Sequence, residues 1–228
     1  MFEGRLHAQG FTLGIKKGKL KSYYRTTYKN FEIGYIKDPR ERRLNRNNSI
    51  TGERISSAFV FGKAHEFFTL RYSYGEKRYL SEKTKRRGLA MGLIYEGGVT
   101  LGLLKPYAVN VIRLDPDDPS DQSLEVITYS EEVEEDFLND RFLYGGASFF
   151  DGLSSTTPTI GLHGKVGMHW ALGAFDQKVK AFETGIMFDV FPRKIPILIE
   201  QEDLNNNFFF FKIYLAFQFG TRERLGEQ

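Results

Sequence analysis

Residues Ile160–Leu172, IGLHGKVGMHWAL, decide the fold. Read alternately, one side is Ile160, Leu162, Gly164, Val166, Met168, Trp170 and Leu172. The other is Gly161, His163, Lys165, Gly167, His169 and Ala171. Successive strand side chains point to opposite faces, so one face here is apolar and the other polar or very small. The alternation outlasts the roughly 5–6 residues usual for soluble strands and suffices for the roughly 9–11 residues of a tilted bilayer crossing.

The same period recurs along the chain. Between Lys180 and Val190, Phe182, Thr184, Ile186, Phe188 and Val190 alternate with Ala181, Glu183, Gly185, Met187 and Asp189. The short connection near 174–178 predicts a hairpin with the preceding strand. From Phe209 to Gly220 an apolar set again alternates with Lys212, Tyr214, Ala216 and Gln218. In the first half, strands are predicted at about 4–16, 21–36, 58–74 and 87–104. Pro106 interrupts the ladder, and Tyr107, Val109 and Val111 suggest a shorter fifth strand, which brings the total to eight. Three connections are long: 37–57, 114–157 and 191–207. The second opens on Asp115, Pro116, Asp117, Asp118 and Pro119, which is turn chemistry, and its Glu131–Asp140 stretch suits a short helix.

Composition narrows the class. The 228 residues include 21 Phe, 12 Tyr and 23 Gly and no Cys, which favours β structure and excludes disulfide scaffolds, thiol catalysis and thiolate zinc sites. No apolar run approaches the roughly 20 residues of a membrane helix. The net charge of +3 hides an asymmetry: residues 1–90 carry 21 Lys and Arg against 8 Asp and Glu, residues 91–228 carry 11 against 21, and within 114–140 there are 11 acidic residues and no basic one. The halves are expected to attract each other or to face different surroundings. No nucleic-acid-binding motif accompanies the basic half.

Soluble barrels hide their apolar face, whereas membrane barrels turn it outward to lipid. Three features select the second arrangement: strand length, glycines on the polar face (Gly34, Gly92, Gly161, Gly167, Gly185, Gly220), and aromatic residues near strand ends (Tyr23, Tyr24, Tyr28, Tyr35, Tyr72, Tyr74, Tyr95, Trp170, Phe208–Phe211). The expected fold is all-β: a single antiparallel transmembrane β-barrel of about eight strands with long loops, one domain over 1–228. Ile160, Leu162, Val166, Met168, Trp170 and Leu172 are expected to face lipid. An interior charge network is expected from Glu32, Lys63, Arg71, Glu96, His163, Lys165, His169, Glu183, Asp189 and Lys212, plugging the lumen. The opening Met1-Phe2-Glu3-Gly4 lacks the character of a secretory leader, so the reading expects a mature or truncated chain.

The segments Phe31–Arg43 (FEIGYIKDPRERR), Val99–Tyr107 (VTLGLLKPY) and Ala181–Pro196 (AFETGIMFDVFPRKIP) resemble the small outer-membrane β-barrel proteins of Bacteroidota-type bacteria, and the likeness runs over most of the chain. The resemblance implies fold and location, the bacterial outer membrane, and carries no catalytic motif. Partners are then outer-membrane lipid and other outer-membrane or periplasmic proteins met through the long loops, with no nucleic acid.

Candidate chemistry is sparse. His163 and His169 lie six residues apart on one strand face, about 20 Å, too far to share a metal. The acidic loop lacks an Asp-x-Asp-x-Asp-Gly calcium pattern. Gly14-x-x-x-Gly18-Lys19-Leu20 departs from the phosphate-loop spacing and reads as a basic hairpin. A lipid-modifying barrel enzyme would need a base from His65, His163 or His169 beside Ser148, Ser154 or Ser155. The expected function is therefore non-enzymatic, without cofactor or metal: a structural or accessory subunit of an outer-membrane secretion or assembly complex. A lipid-modifying barrel and a soluble lipocalin-like ligand-binding barrel are the alternatives.

Overall fold

The computed structural model describes residues 1–22, 24–44, 57–80, 90–114, 122–139, 142–172, 178–201 and 205–221. In chain order the strands are β1 (Phe2–His7), β2 (Gly10–Ser22), β3 (Arg25–Ile36), β4 (Arg43–Leu44), β5 (Phe59–Val60), β6 (His65–Tyr79), β7 (Ala90–Pro106), β8 (Ala108–Leu114), β9 (Gln122–Thr128), β10 (Leu143–Gly146), β11 (Thr157–Leu172), β12 (Lys178–Val190) and β13 (Phe209–Thr221). A short helix, α1 (Glu134–Leu138), follows a 3-10 turn at Glu131–Val133. Eight strands close an antiparallel barrel in the order β1-β13-β12-β11-β7-β6-β3-β2. A three-stranded sheet, β10-β8-β9, and the small pair β4-β5 lie outside it.

The register fixes which face looks out. Partners followed round the barrel from Lys180 are Phe219, Phe2, Ile15, Phe31, Tyr72, Val99 and Leu162, and the path returns to β12 at Val190. The return falls ten residues up the strand, the stagger that a closed, tilted barrel requires. Nearly every residue on this ring is apolar. The adjacent ring from Glu183 runs through Ala216, Arg5, Thr12, Gly34, Thr69, Gly102 and Thr159 and is small or polar throughout. The first ring faces out, with Ile15, Phe31, Tyr72 and Val99 exposed, whereas Arg5, Thr12 and Thr69 on the second are buried.

Two differences from the sequence reading have local causes. The predicted strand 4–16 is a hairpin, β1 and β2, turning at Ala8-Gln9. Gly10 there has φ +140°, and a Cβ would run into the Tyr35 carbonyl, so the turn requires glycine. The eighth barrel strand comes from this split. Tyr107, Val109 and Val111, expected as a barrel strand, belong to the region of β8, which leaves the wall after Pro106. Val109 and Val111 are buried among Phe59, Ile127, Phe137 and Leu143 rather than turned outward. The β11–β12 hairpin pairing and the Glu131–Asp140 helix expectation match the observed elements.

The two ends of the barrel differ. At the end bearing both termini the connections are short: 23–24, 80–89 and 173–177. At the other end lie the Ala8-Gln9 turn and the connections 37–64, 107–156 and 191–208. These form a cap. Its upper core packs Phe59, Ala64, Val109, Val111, Ile127, Phe137, Leu143 and Ile199. Below it, Ile36, Phe67, Leu104, Phe191, Ile195, Ile197 and Phe210 close the mouth, with the Phe67 ring 5.3 Å from that of Phe191 and 5.9 Å from that of Phe210. Residues 45–56 of the predicted loop 37–57, 115–121 and 140–141 of the loop 114–157, and 202–204 of the loop 191–207 lie outside the described residues.

Truncating Phe137, 1% exposed at the centre of the cap, should cost about 3–5 kcal/mol. Phe137→Ala is expected to speed proteolysis within 107–156 while leaving the barrel's far-ultraviolet circular dichroism unchanged. Unaltered proteolysis would contradict a cap held by that core.

Candidate functional site

The lumen is a packed charge network. Among the described residues six cations, Arg5, Lys16, Arg71, Lys77, Lys165 and Lys212, meet five carboxylates, Glu3, Glu32, Glu96, Glu183 and Asp189, all buried. Strand parity puts them there, since each lies in phase with the small inner-ring residues of its own strand.

Asp189 on β12 is the clearest node. Arg71 of β6 donates to it from Nε (2.8 Å) and Nη2 (2.9 Å), Lys212 of β13 from Nζ (2.6 Å), and Thr100 of β7 from its hydroxyl (3.0 Å), while His163 Nδ1 of β11 lies 3.1 Å away. Four strands thus send groups to one carboxylate on a fifth. A second node is Glu3, bonded by Arg5, Lys16 and Gln218. Glu32 holds Arg5 in a two-pronged pair (3.0 and 2.5 Å). Glu96 lies 3.0 Å from Lys165 and 3.6 Å from His163, and Glu183 takes Lys16 and His169 at 3.2 Å with Lys77 at 3.9 Å. Pairs such as Lys16–Glu183 and Arg71–Asp189 join the basic half of the chain to the acidic half, one of the two outcomes that the charge asymmetry left open.

Aromatic rings fill the remaining space. Tyr28, expected at a strand-end girdle, points inward instead, its ring 5.2 Å from Lys16 Nζ. It lies over Gly75, where a Cβ would come within 2.6 Å of the ring; only the absence of a side chain admits it. Tyr214 receives Arg5 at 5.0 Å and Lys165 at 5.6 Å over its face.

Nine of the ten residues expected in the network occupy it. Lys63 does not: it precedes β6, in an isolated bridge to Leu198 at the mouth, and donates to Tyr35 (2.9 Å) and Glu41 (3.1 Å). Burial opposes its charge, and these two partners outweigh that to hold its pKa above the ordinary lysine value. Glu3, Arg5, Lys16 and Lys77 were not anticipated. Their signal was available: Lys16 continues the phase of Thr12 and Gly14, and Lys77 that of Arg71 and Ser73. Of the outward set, Ile160, Leu162 and Val166 are 69%, 63% and 45% exposed. Met168 and Trp170 are partly covered, and Trp170 stacks on Phe182 at 4.8 Å. The side chain of Leu172 lies outside the described residues.

Glu32, Glu96 and His163 bring ligand atoms within 4.8 Å of one another, but Arg5 and Lys165 already serve the two carboxylates as counter-charges. The groups considered for catalysis are dispersed. His163 and His169 face lumen carboxylates, His65 Nδ1 lies 2.8 Å from the Pro196 carbonyl, and Ser148, Ser154 and Ser155 are exposed in the cap. A polar cleft of about 650 Å³ beside the mouth is lined by Tyr35, Lys37, Glu41, Lys63, Lys105 and Tyr107. Its two buried lysines are each paired, Lys63 with Glu41 and Lys105 with Glu66, both at 3.1 Å. Comparisons with protein-family models, curated proteins and solved structures return no match.

Removing one member of a buried ion-pair cluster leaves its partners uncompensated, typically at about 3–5 kcal/mol. Glu183→Ala should therefore lower the urea midpoint strongly. Glu135→Ala, exposed on the cap, should stay within about 0.5 kcal/mol. Equal midpoints would contradict the network.

Proposed function

We propose that the chain is a transmembrane β-barrel of the bacterial outer membrane, closed to ions, that anchors its folded cap as a structural or accessory subunit of a larger secretion or assembly complex. The observation that carries this reading is the inverted wall: exposed Phe, Leu, Ile and Val outside, ion-paired Arg, Lys, Glu and Asp inside. Soluble monomers rarely expose contiguous apolar patches beyond a few hundred Å², and here the apolar face runs round the barrel. A lipocalin-like ligand binder would place these side chains inward.

The ends support an orientation. Outer-membrane barrels have short periplasmic turns and longer extracellular loops, a pattern that favours termini in the periplasm and the cap outside. Aromatic residues mark both levels. Phe11, Tyr35, Phe68, Phe149 and Phe150 form a ladder at the cap end, with successive centroids between 5.2 and 6.2 Å apart. Trp170 and Phe182 stack toward the terminal end. On the cap, β9 has no strand on its outer edge among the described residues and exposes Leu124 and Val126. An open edge with apolar side chains suits docking by strand addition, which supports the accessory-subunit reading.

Two measurements test the proposal. Val166→Arg, midway along the outer face of β11, should cost about 2–4 kcal/mol of folding free energy in lipid; unchanged folding in vesicles would oppose the membrane assignment. In planar bilayers the pure protein should show no steady conductance, because eight strands leave an interior that side chains fill. Stable ion-selective channels would contradict a closed lumen.

A further inference from the structure

On the outer face, the apolar band gives way abruptly to lysine and arginine toward the terminal end. Along β2, Leu13 and Ile15 are followed on the same face by Lys17, Lys19 and Lys21. On β3 the outward residue beyond Phe31 is Lys29, then Arg25 at the strand end; on β6, Tyr74 leads to Glu76 and Arg78; on β12, Phe182 leads to Lys180 and Lys178. With the ten-residue stagger shared over eight strands, Lys180, Lys19, Arg25 and Arg78 come to about one height.

Among the described residues the cations of this belt lie on β12, β2, β3 and β6, while β13 and β1 between them present Phe219 and Phe2, and β7 and β11 present Met91, Leu93 and Trp170 at that end. Among the described residues most of the belt's charge is unpaired. Glu76 bridges Arg25 (2.5 Å) and Arg78 (2.6 Å), whereas Lys17, Lys19, Lys21, Lys29, Lys178 and Lys180 have no carboxylate partner among the described residues. The lumen, by contrast, pairs nearly every charge it holds. These six lysines lie just below an apolar face, where long basic side chains reach headgroup phosphates while their methylenes stay against acyl chains.

We infer that this belt is a binding surface for the phosphates of anionic phospholipid headgroups in the leaflet nearest the termini. The inference rests on the membrane reading above and specifies the lipid class it would gather. Each lysine attracts anionic headgroups modestly, and their attraction falls with salt because the belt is exposed.

The test uses the full chain reconstituted in phosphatidylcholine vesicles doped with spin-labelled phosphatidylcholine or spin-labelled phosphatidylglycerol, read by electron spin resonance. The wild type should retain phosphatidylglycerol at its surface on the order of fivefold more strongly than phosphatidylcholine. The preference should shrink in high salt and disappear in a variant carrying K17Q, K19Q, K21Q, K178Q and K180Q. Free inorganic phosphate at matched ionic strength should compete no better than chloride if the lipid, rather than the bare anion, is the ligand; stronger competition by phosphate would overturn the lipid assignment. A motionally restricted lipid signal with equal retention of both lipids, or a preference that survives in the variant, would overturn the belt while leaving the membrane reading in place. No restricted lipid with either label would instead overturn the membrane reading on which the belt rests.

Discussion

A carboxylate held inside an eight-stranded barrel has no bulk water to ionise into, so it has to be neutralised where it stands. Asp189 is neutralised by Arg71 of β6 and Lys212 of β13, with Thr100 of β7 donating a hydrogen bond and His163 of β11 beside it, and Glu3, Glu32, Glu96 and Glu183 each meet a lysine or arginine. Much else depends on this constraint. The strands must close, because an open sheet would bare the charges on one side. Glycine and alanine must recur inside, because the network and the Tyr28 and Tyr214 rings already fill the space. The apolar residues must then go outward.

Buried ion pairs are weak evidence for stability, since desolvation offsets most of their attraction. Here they set register. Shifting any one strand by a single residue exchanges its two faces, sending Arg71 or Asp189 outward and Phe188 or Tyr72 inward. Each strand of the wall carries both an outward apolar row and a member of the inner network, β2 through Lys16 and β3 through Glu32 and Asn30. A slip anywhere therefore costs on both faces at once, which specifies one pairing for a sheet whose outer surface alone would tolerate several.

Most of this wall was legible from alternation, because a period of two survives whichever face is buried. Ile160–Leu172 showed both faces at once, and nine of the ten expected interior residues lie within the network. What escaped detection had local causes. The Ala8-Gln9 turn lacks proline and an Asn-Gly pair, so β1 and β2 read as one strand and Glu3 and Arg5 were lost with it. Both Lys16 and Lys77 keep the inward phase, but Lys16 sits in the lysine-rich run that read as a basic hairpin, and Lys77 lies past residue 74, where the predicted strand stopped. Lys63 erred the other way, carried into β6 by extending the strand through Phe61-Gly62. Val109 and Val111 alternate like wall residues, yet the partners that bury them, Phe59, Phe137 and Leu143, come from distant loops that period alone could not assemble.

The chain contains one tryptophan, and its position makes the central claim directly measurable. Trp170 lies on the outward face of β11, against Phe182 and close to the terminal end. In vesicles of lipids brominated at defined acyl positions, its fluorescence should be quenched, more strongly by bromines near the headgroups than by those at the bilayer centre. A Trp170 emission unaffected by brominated lipid at any depth, from protein that is folded in the vesicle sample, would contradict a barrel whose apolar face meets the membrane.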